Sequence, residues 1–256
     1  PSMTRLFARP FADRNFRKVM LFLGGWSFAV NLAMPFFTVF LVEDLALPIT
    51  VPIAMGMVAQ VANIVSLPFW GRLSDRRSNK TVIALAGPLL LAASGCWVLA
   101  ATLLPHALIL PLLAAAQVVA GAAGAGLDLA CGNLAFKTAP KGEPTVYLGV
   151  NGLVKSLAGG LAPLAGGALA EHLGGTSLSF AIGSLSIIHV RPLAFVFMAS
   201  IAAGVGALLL LLPVAEDGHR VLRRPLFRYM NRGFKKASRK RRASHGPVRN
   251  RPAGAA

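Results

Sequence analysis

The sequence predicts an all-α membrane protein in which six transmembrane helices form one bundle. Composition is the first indication: 55% of the 256 residues are hydrophobic and only 14% are charged, whereas a soluble domain carries about a quarter charged residues. The second indication is the length of the apolar runs, since about 20 apolar residues cross about 30 Å of hydrocarbon as a helix. Six runs come close to this length, at residues 19–41, 51–70, 82–102, 108–130, 146–169 and 192–212.

Six such runs in succession, joined by short connectors, argue against the alternative of a helix buried in a soluble core. The first run is also too long for a signal peptide and lacks a cleavage site of small residues. Between the last two runs, residues 174–190 are too interrupted for a span and predict an extracytoplasmic amphipathic or re-entrant segment. The predicted order is a cytoplasmic basic linker (1–18), a six-span bundle (19–213) and a cytoplasmic polybasic tail (214–256).

The basic residues predict the topology of the bundle. Of the 26 Lys and Arg residues, 24 lie before the first run, after the second or fourth run, or after the sixth. The opposite side carries only Arg191, and Lys155 lies within a run. Because short basic loops stay cytoplasmic, we expect a multi-pass protein of the cell (plasma or inner) membrane with both termini in the cytoplasm.

The tail supplies most of the net charge of +17, and it has no Asp or Glu beyond Gly218. Its most basic stretch is Arg239-Lys240-Arg241-Arg242. A strongly basic segment also suits nucleic acid, but one just inside a membrane is better explained by attraction to anionic lipid headgroups. We therefore expect lipid contact, no nucleic-acid partner, and partial disorder where apolar residues are few.

The connector after the second run holds a motif. It reads Gly71-Arg72-Leu73-Ser74-Asp75-Arg76-Arg77-Ser78-Asn79-Lys80. The pattern Gly-x-x-Ser-Asp-Arg-x-x-x-Lys resembles the loop signature of the major facilitator superfamily of secondary transporters. That signature continues with Gly and Arg where this chain has Ser78 and Asn79, so the match is incomplete.

The resemblance extends to three spans and covers about residues 12–213. Residues 13–37 are similar to the seventh span of a twelve-span transporter, residues 67–71 to the end of the eighth, and residues 126–134 to the tenth. This implies a major-facilitator-type fold and the C-terminal half of such a transporter, whose partner is the missing N-terminal six-span half. The start at Pro1 rather than Met leads us to expect a fragment of a longer product.

The resemblance also implies a function, which is secondary active transport of a small-molecule substrate by alternating access. The substrate would bind between the two halves near the midplane. Three alternatives stay open: a half-size transporter that pairs with a second copy, a fragment without activity, and a membrane scaffold whose basic tail recruits partners. No nucleophile–base pair, Cys/His metal spacing or phosphate loop is recognisable, so we expect no enzyme, metal or cofactor.

The resemblance assigns a gating role to the motif residues Gly71, Asp75, Arg76 and Lys80. In the family the loop carboxylate lies near a helix N-terminus of the opposite bundle and helps to hold the cytoplasmic gate shut. A carboxylate at a helix N-terminus is stabilising by roughly 0.3–1 kcal/mol. The alternative is that the cations of the motif only fix the topology.

Polar side chains within the apolar runs are candidates for substrate binding or ion coupling, since facing lipid is costly for them. They are Asn31, Gln60, Asn63, Gln117, Asp128, Asn133, Asn151 and Lys155. The amides fit equally well as hydrogen-bond partners of a neighbouring helix. Asp128 and Lys155 are predicted at depths of about 18 and 17 Å along adjacent antiparallel helices, which makes an ion pair between them feasible.

Overall fold

The computed structural model describes residues 3–216, except for 104, 141, 175–177, 182–186 and 191. Within these residues the chain forms seven α-helices and two short strands. The helices are α1 (Met3–Ala12), α2 (Arg14–Val39), α3 (Thr50–Arg76), α4 (Asn79–Thr102), α5 (His106–Thr138), α6 (Pro144–Gly174) and α7 (Pro192–Leu211). The strands are β1 (Leu178–Ala181) and β2 (Ile187–Val190). A π-helical turn, Phe40–Asp44, continues α2.

In the described part of the chain, α2 to α7 are the helices long and apolar enough to cross a membrane, which confirms the predicted fold class. Most are longer than their apolar runs; α5, for example, has 33 residues. Hydropathy detects only the part of a helix that suits hydrocarbon, whereas the backbone hydrogen bonds of a helix continue beyond that part until its ends are capped. The tail from residue 217 onward, predicted to be partly disordered, lies outside the described residues.

The first span begins before its apolar run because Asp13 caps α2. Its side chain accepts hydrogen bonds from the backbone N–H groups of Asn15 (2.9 Å) and Phe16 (3.0 Å), which satisfies donors that a helix N-terminus leaves free. The segment predicted as a basic linker is itself helical over α1. Asp13 therefore marks the corner between α1 and the first span.

The motif connector is shorter than the sequence predicted, because α3 continues to Arg76 and α4 begins at Asn79. Only Arg77 and Ser78 lie between the two helices. Ser78 ends the connector because it caps α4: its Oγ accepts a hydrogen bond from the backbone N–H of Thr81 at 3.1 Å. Most of the motif is thus helix, and its side chains have fixed directions.

The expectation of an extracytoplasmic amphipathic or re-entrant segment at residues 174–190 stays a prediction, and the described part of this segment contains two strands. There β1 and β2 pair antiparallel, with Leu178 opposite Val190 and Ala181 opposite Ile187. The two strands alternate apolar and polar side chains only weakly, and the β-branched residues of β2 favour an extended backbone. This ribbon precedes α7.

The packing order of the helices reveals two repeats of three helices. Helix α3 packs on α5 as α6 packs on α2, and α4 packs on α5 as α7 packs on α2. Helices α4 and α7 pack on each other, and so do α2 and α5. Each relation is reproduced when α2, α3 and α4 are exchanged with α5, α6 and α7, as expected for inverted repeats about a pseudo-two-fold axis.

The two ends of the bundle differ in which helices begin and which finish there. At the end that we call the basic end, α2, α4 and α6 begin and α3, α5 and α7 finish. A large apolar core lies nearer this end and includes Val19, Phe22, Ile83, Leu127, Leu134 and Leu211. At the opposite end Phe37 stacks on Trp97 with ring centroids 4.4 Å apart, beside Phe40 and Phe197. These two cores fix the helix order that positions the polar side chains.

Candidate functional site

One side of the bundle is formed by α3, α5, α2 and α6, with α4 and α7 packed behind α5 and α2. We call this side the open face. Helices α3 and α6 are the least covered of the described spans: 6% and 11% of their most apolar stretches are buried, against 28–39% in the other four. Most candidate site residues belong to the four helices of this face.

The seam between α2 and α6 places Ser27 against the backbone of Lys155 and Asn31 near Gly159. Ser27 Oγ donates to the carbonyl oxygen of Lys155 at 2.9 Å, and Asn31 Nδ2 donates to the carbonyl oxygen of Ser27 at 2.8 Å. One turn beyond Lys155, a Cβ at Gly159 would lie 2.9 Å from Ser27 Oγ and 3.2 Å from Asn31 Nδ2. The close approach of the two helices therefore holds Asn31 against α6.

Asn151 lies on α6 one turn before Lys155 and is only 6% exposed. In the described part of the chain its Oδ1 has no hydrogen-bond partner. Leaving a buried acceptor unpaired costs about 1–3 kcal/mol, and such atoms call for a specific explanation such as a ligand or an ordered water. Asn151 is therefore the amide of the candidate set with the clearest unused binding capacity.

The seam between α3 and α5 positions Asn63. Trp70 Nε1 donates to the carbonyl oxygen of Ala122 at 2.6 Å, and Ser66 Oγ donates to the same oxygen at 3.2 Å. Asn63 Nδ2 lies 3.7 Å from the position that a Cβ at Gly124 would occupy. Gln60, one turn earlier on α3, is exposed.

Asp128 and Lys155 are both exposed, on α5 and α6 respectively. They lie 10 and 11 residues from Thr138 and Pro144, the basic-end limits of their helices, which corresponds to depths of about 15 and 17 Å. The feasible ion pair is not formed: the ion pairs within the described residues are Arg9–Glu143 and Lys137–Glu216. The reason is that α5 and α6 touch only marginally, since each packs on other helices.

The motif residues divide into two groups. Asp75 and Arg76 are exposed at the end of α3, and Gly71 has open space where a Cβ would be. Lys80 instead contacts its own bundle: its Nζ donates to the carbonyl oxygens of Leu212 (3.2 Å) and Val214 (2.6 Å). Asp75 and Arg76 are thus free to contact another bundle, whereas Lys80 secures the end of α7.

The sequence matches the family model described as Major Facilitator Superfamily over residues 19–243. This chain belongs to the major facilitator superfamily. Its fold is similar to the crystal structure of D-xylose-proton symporter, with a TM-score of 0.56 and 14% sequence identity. That match covers 89% of this chain and 52% of the symporter chain, so the chain spans about half the length of that structure. A comparison with curated proteins found no significant match.

The superfamily resemblance predicted from the motif is thereby confirmed, and the family points to transport rather than to an enzyme. At 14% identity the likeness to the symporter shows the fold alone. The six described helices that are long and apolar enough to cross a bilayer agree with a multi-pass membrane protein.

Sequence reasoning missed Glu216, which lies just after the last span of this major facilitator protein. Its side chain is 1% exposed. Its carboxylate accepts from Asn79 N (3.2 Å), Asn79 Nδ2 (2.7 Å) and Lys80 N (3.0 Å), and Lys137 Nζ lies 3.6 Å away. Ser74 Oγ donates to Asn79 Oδ1 at 2.6 Å, which orients the amide. Glu216 therefore joins the ends of α7 and α5 to the N-terminus of α4.

The electrostatics of Glu216 follow from these contacts. Burial by itself raises the pKa of this carboxyl, but the hydrogen bonds from Lys80 and Asn79 and the charge of Lys137 outweigh it. The pKa of Glu216 is therefore held below its usual value. The sequence signal for this contact was available: Glu216 follows the last apolar run, at the same end as the basic motif.

Two further candidates lie away from the seams. Asn133 is exposed on α5, nearer the basic end than Asp128. Gln117 lines a cavity of about 60 Å³. The cavity is also lined by Trp26, Phe37 and Trp97, three aromatic residues that were not among the predicted site residues. A cavity of this size admits a few water molecules, since one water needs roughly 10–15 Å³. No charged side chain of the described residues lines it.

Proposed function

We propose that the chain is the C-terminal half of a secondary active transporter that moves a small solute by alternating access. The observation that carries this proposal is the combination of superfamily membership with a length of about half, since the match covers 52% of the symporter chain. The weak coverage of α3 and α6 supports it as well. Both helices would then pack against an N-terminal six-span half.

In this proposal the solute binds on the open face, between the two halves. The α2–α6 seam contributes Asn31, Asn151 and Lys155, and the α3–α5 side contributes Asn63 and Asp128. Polar and ionisable groups at membrane depth are retained where they line a wet cavity or a transport path. Gln60 and Asn133 are the exposed amides at the margins of the same surface.

We extend the proposal to ion coupling through Asp128 and Lys155. The symporter with the similar fold is, by its title, coupled to protons. In this chain Asp128 and Lys155 are exposed at similar depths on α5 and α6 and do not form an ion pair with each other. Domain closure that brings the two groups together would favour the ionised carboxylate, so that a proton is released when the pair forms and bound when it separates.

The motif would act at the gate. Asp75 and Arg76 are exposed at the end of α3, and a carboxylate there can face a helix N-terminus of the partner half. Contacts of this kind bias one access state over another only if they are made in that state alone.

We place the basic end of the bundle in the cytoplasm because 24 of the 26 Lys and Arg residues are expected on that side. The tail is then positioned to bind anionic lipid headgroups.

The experiment that tests the proposal compares the full-length product, the chain co-expressed with an N-terminal half, and the chain alone. We expect the first two to be monodisperse and to move a common solute across proteoliposomes, with transport lost on collapse of the ion gradient. The chain alone should move none of the solutes that the full-length product moves.

Transport by the chain alone would contradict the half-transporter proposal and favour a self-pairing dimer built on the same open face. Failure of every preparation to transport any solute of a broad panel, with intact folding and pairing, would favour the scaffold alternative.

A further inference from the structure

Helix α1 has an apolar surface that is exposed among the residues that the structure describes. Phe7 and Phe11 lie one turn apart on α1 and are 49% and 50% exposed. Residues four apart share a face of a helix, so the two rings form one patch. Pro10 is buried, which shows that another side of α1 rests on the bundle.

An ion pair fixes the orientation of α1. The guanidinium of Arg9 pairs with the carboxylate of Glu143 in the connector between α5 and α6. The carboxylate raises the pKa of Arg9. Arg9 is two positions along the helix from each Phe, so at 100° per residue its side chain projects about 160° from theirs. The phenylalanine patch consequently faces away from Glu143.

The depth of α1 follows from its link to the first span. Helix α2 starts at Arg14, and its apolar run starts at Val19. The five intervening residues advance about 7.5 Å along the helix, which is about the thickness of the interfacial layer on one side of a bilayer, roughly 5–8 Å. Helix α1 therefore lies at the level of the lipid headgroups if α2 crosses the membrane.

Charge favours lipid over protein as the cover of this patch. Residues 1–18 carry five cations and one acid, Asp13, and Asp13 is occupied in capping α2. Arg14 and Arg17 are exposed at the start of α2, three and six residues after Phe11. An apolar face flanked by cations at headgroup level suits a membrane containing anionic lipid.

We propose that α1 is a membrane-surface helix that inserts Phe7 and Phe11 into the basic-end leaflet while the neighbouring arginines contact anionic headgroups. Arg9–Glu143 holds the helix in this orientation. The proposal goes beyond solute transport and does not depend on it, because it requires only that α2 span the membrane. A protein surface, such as a partner half, is the competing occupant.

The test measures the depth of nitroxide labels in the full-length protein in nanodiscs. Cysteines replace Phe7, Phe11 or, as the matched control on another side of α1, Ala12, in a background of Cys96→Ala and Cys131→Ala. We expect the ratio of collisions with oxygen to collisions with a water-soluble nickel chelate to be several-fold higher at positions 7 and 11 than at 12. Adding phosphatidylglycerol to phosphatidylcholine nanodiscs should increase that ratio further.

Three results would overturn the proposal or its headgroup contact. Ratios at positions 7 and 11 equal to that at 12 would place the patch in water. Immobile labels at 7 and 11 that neither reagent reaches would show that protein covers the patch. A ratio that does not change with phosphatidylglycerol would overturn the contact with anionic headgroups. Solute transport is not the readout, so these outcomes are distinct from failure of the proposed transport function.

Discussion

At the residue scale, the contacts of Glu216 show how a single carboxylate organises the basic end. It accepts three hydrogen bonds from Asn79 and Lys80 at the N-terminus of α4. The partial positive charge of a helix N-terminus favours such an anion, and Lys137 adds a full charge 3.6 Å away. Because these groups lie at the ends of α4 and α5 and Glu216 itself follows α7, Glu216 holds α4, α5 and α7 in register.

We predict that Glu216→Gln lowers the stability of the folded protein at neutral pH by about 1.5–3 kcal/mol, the range for hydrogen bonds to a charged group. The pKa of Glu216 is lower in the folded protein than its ordinary value of 4.5. A lowered pKa contributes stability that is present above the ordinary value and is lost as pH falls through the folded pKa.

Thermal unfolding in detergent from pH 7 down to the folded pKa measures this effect. The difference in melting temperature between Glu216→Gln and the unaltered protein should be largest at pH 7 and should shrink below pH 4.5. Glu171→Gln is the control, since Glu171 is exposed. A pH-independent difference would show that the charge of Glu216 is not responsible.

A second residue-scale prediction concerns Asp128 and Lys155 in the full-length protein. They do not pair in the described structure, but they are exposed at similar depths on α5 and α6. We expect Asp128→Asn and Lys155→Met each to reduce transport or folding yield, with partial recovery in the double variant. Transport rates for the four combinations should give an interaction energy of about 0.5–3 kcal/mol, as for residues that come into contact. Strictly additive losses would mean that the two side chains never meet.

At the element scale, the seams of the open face depend on residues without side chains. A Cβ at Gly121 would collide with the carbonyl oxygen of Ala59, which is backbone and cannot move aside easily. At Gly166 an added Cβ would lie 2.6 Å from the carbonyl oxygen of Leu32 on α2. Small residues of this kind let membrane helices approach closely, and both seams use them.

The matching prediction is that Gly121→Ala disrupts the α3–α5 seam, with a loss of folded yield and a lower melting temperature. Gly132→Ala on the same helix is the control, because a Cβ there meets nothing within 4 Å. Replacing glycine by alanine within a helix stabilises it by roughly 0.5–1 kcal/mol when space permits. We therefore expect Gly132→Ala to be neutral or stabilising. Equal behaviour of the two variants would contradict the close packing at Gly121.

At the scale of the whole molecule, the inverted repeat and the charge distribution define one topology. Exchanging α2, α3 and α4 with α5, α6 and α7 reproduces the packing of the bundle. An odd number of spans in each repeat places the two repeats in opposite orientations, so both ends of the six-span bundle lie on the same side. The side with 24 of the 26 cations is the one expected in the cytoplasm.

Cysteine labelling in intact cells tests this topology in a Cys96→Ala, Cys131→Ala background. Ala46→Cys, exposed at the end opposite the basic end, should react with an impermeant thiol reagent, and Thr145→Cys, exposed at the start of α6, should not. Thr145 is the better probe of the basic end than Ser78, because Ser78 is buried and caps α4. Permeabilised cells provide the control in which both should react. Labelling of both positions in intact cells would contradict the six-span topology.

The sequence by itself determined the number of spans, the fold class and the superfamily. Hydropathy depends on composition within a run, and the motif 71–80 is local, so neither needs a three-dimensional structure. The sequence also placed Asp128 and Lys155 at similar depths, because depth along a helix follows from residue counting at about 1.5 Å per residue.

Tertiary structure alone decided which polar residues meet. Asn31 lies against α6 and Asn63 lies in the α3–α5 seam, whereas Asp128 and Lys155 stay apart because α5 and α6 pack on other helices. Glu216 contacts Asn79 across 137 residues of sequence. Such contacts depend on helix order and rotation, which are set by the summed packing of side chains from many positions. A local pattern in the sequence cannot predict these contacts, because it does not contain the packing of side chains from distant positions.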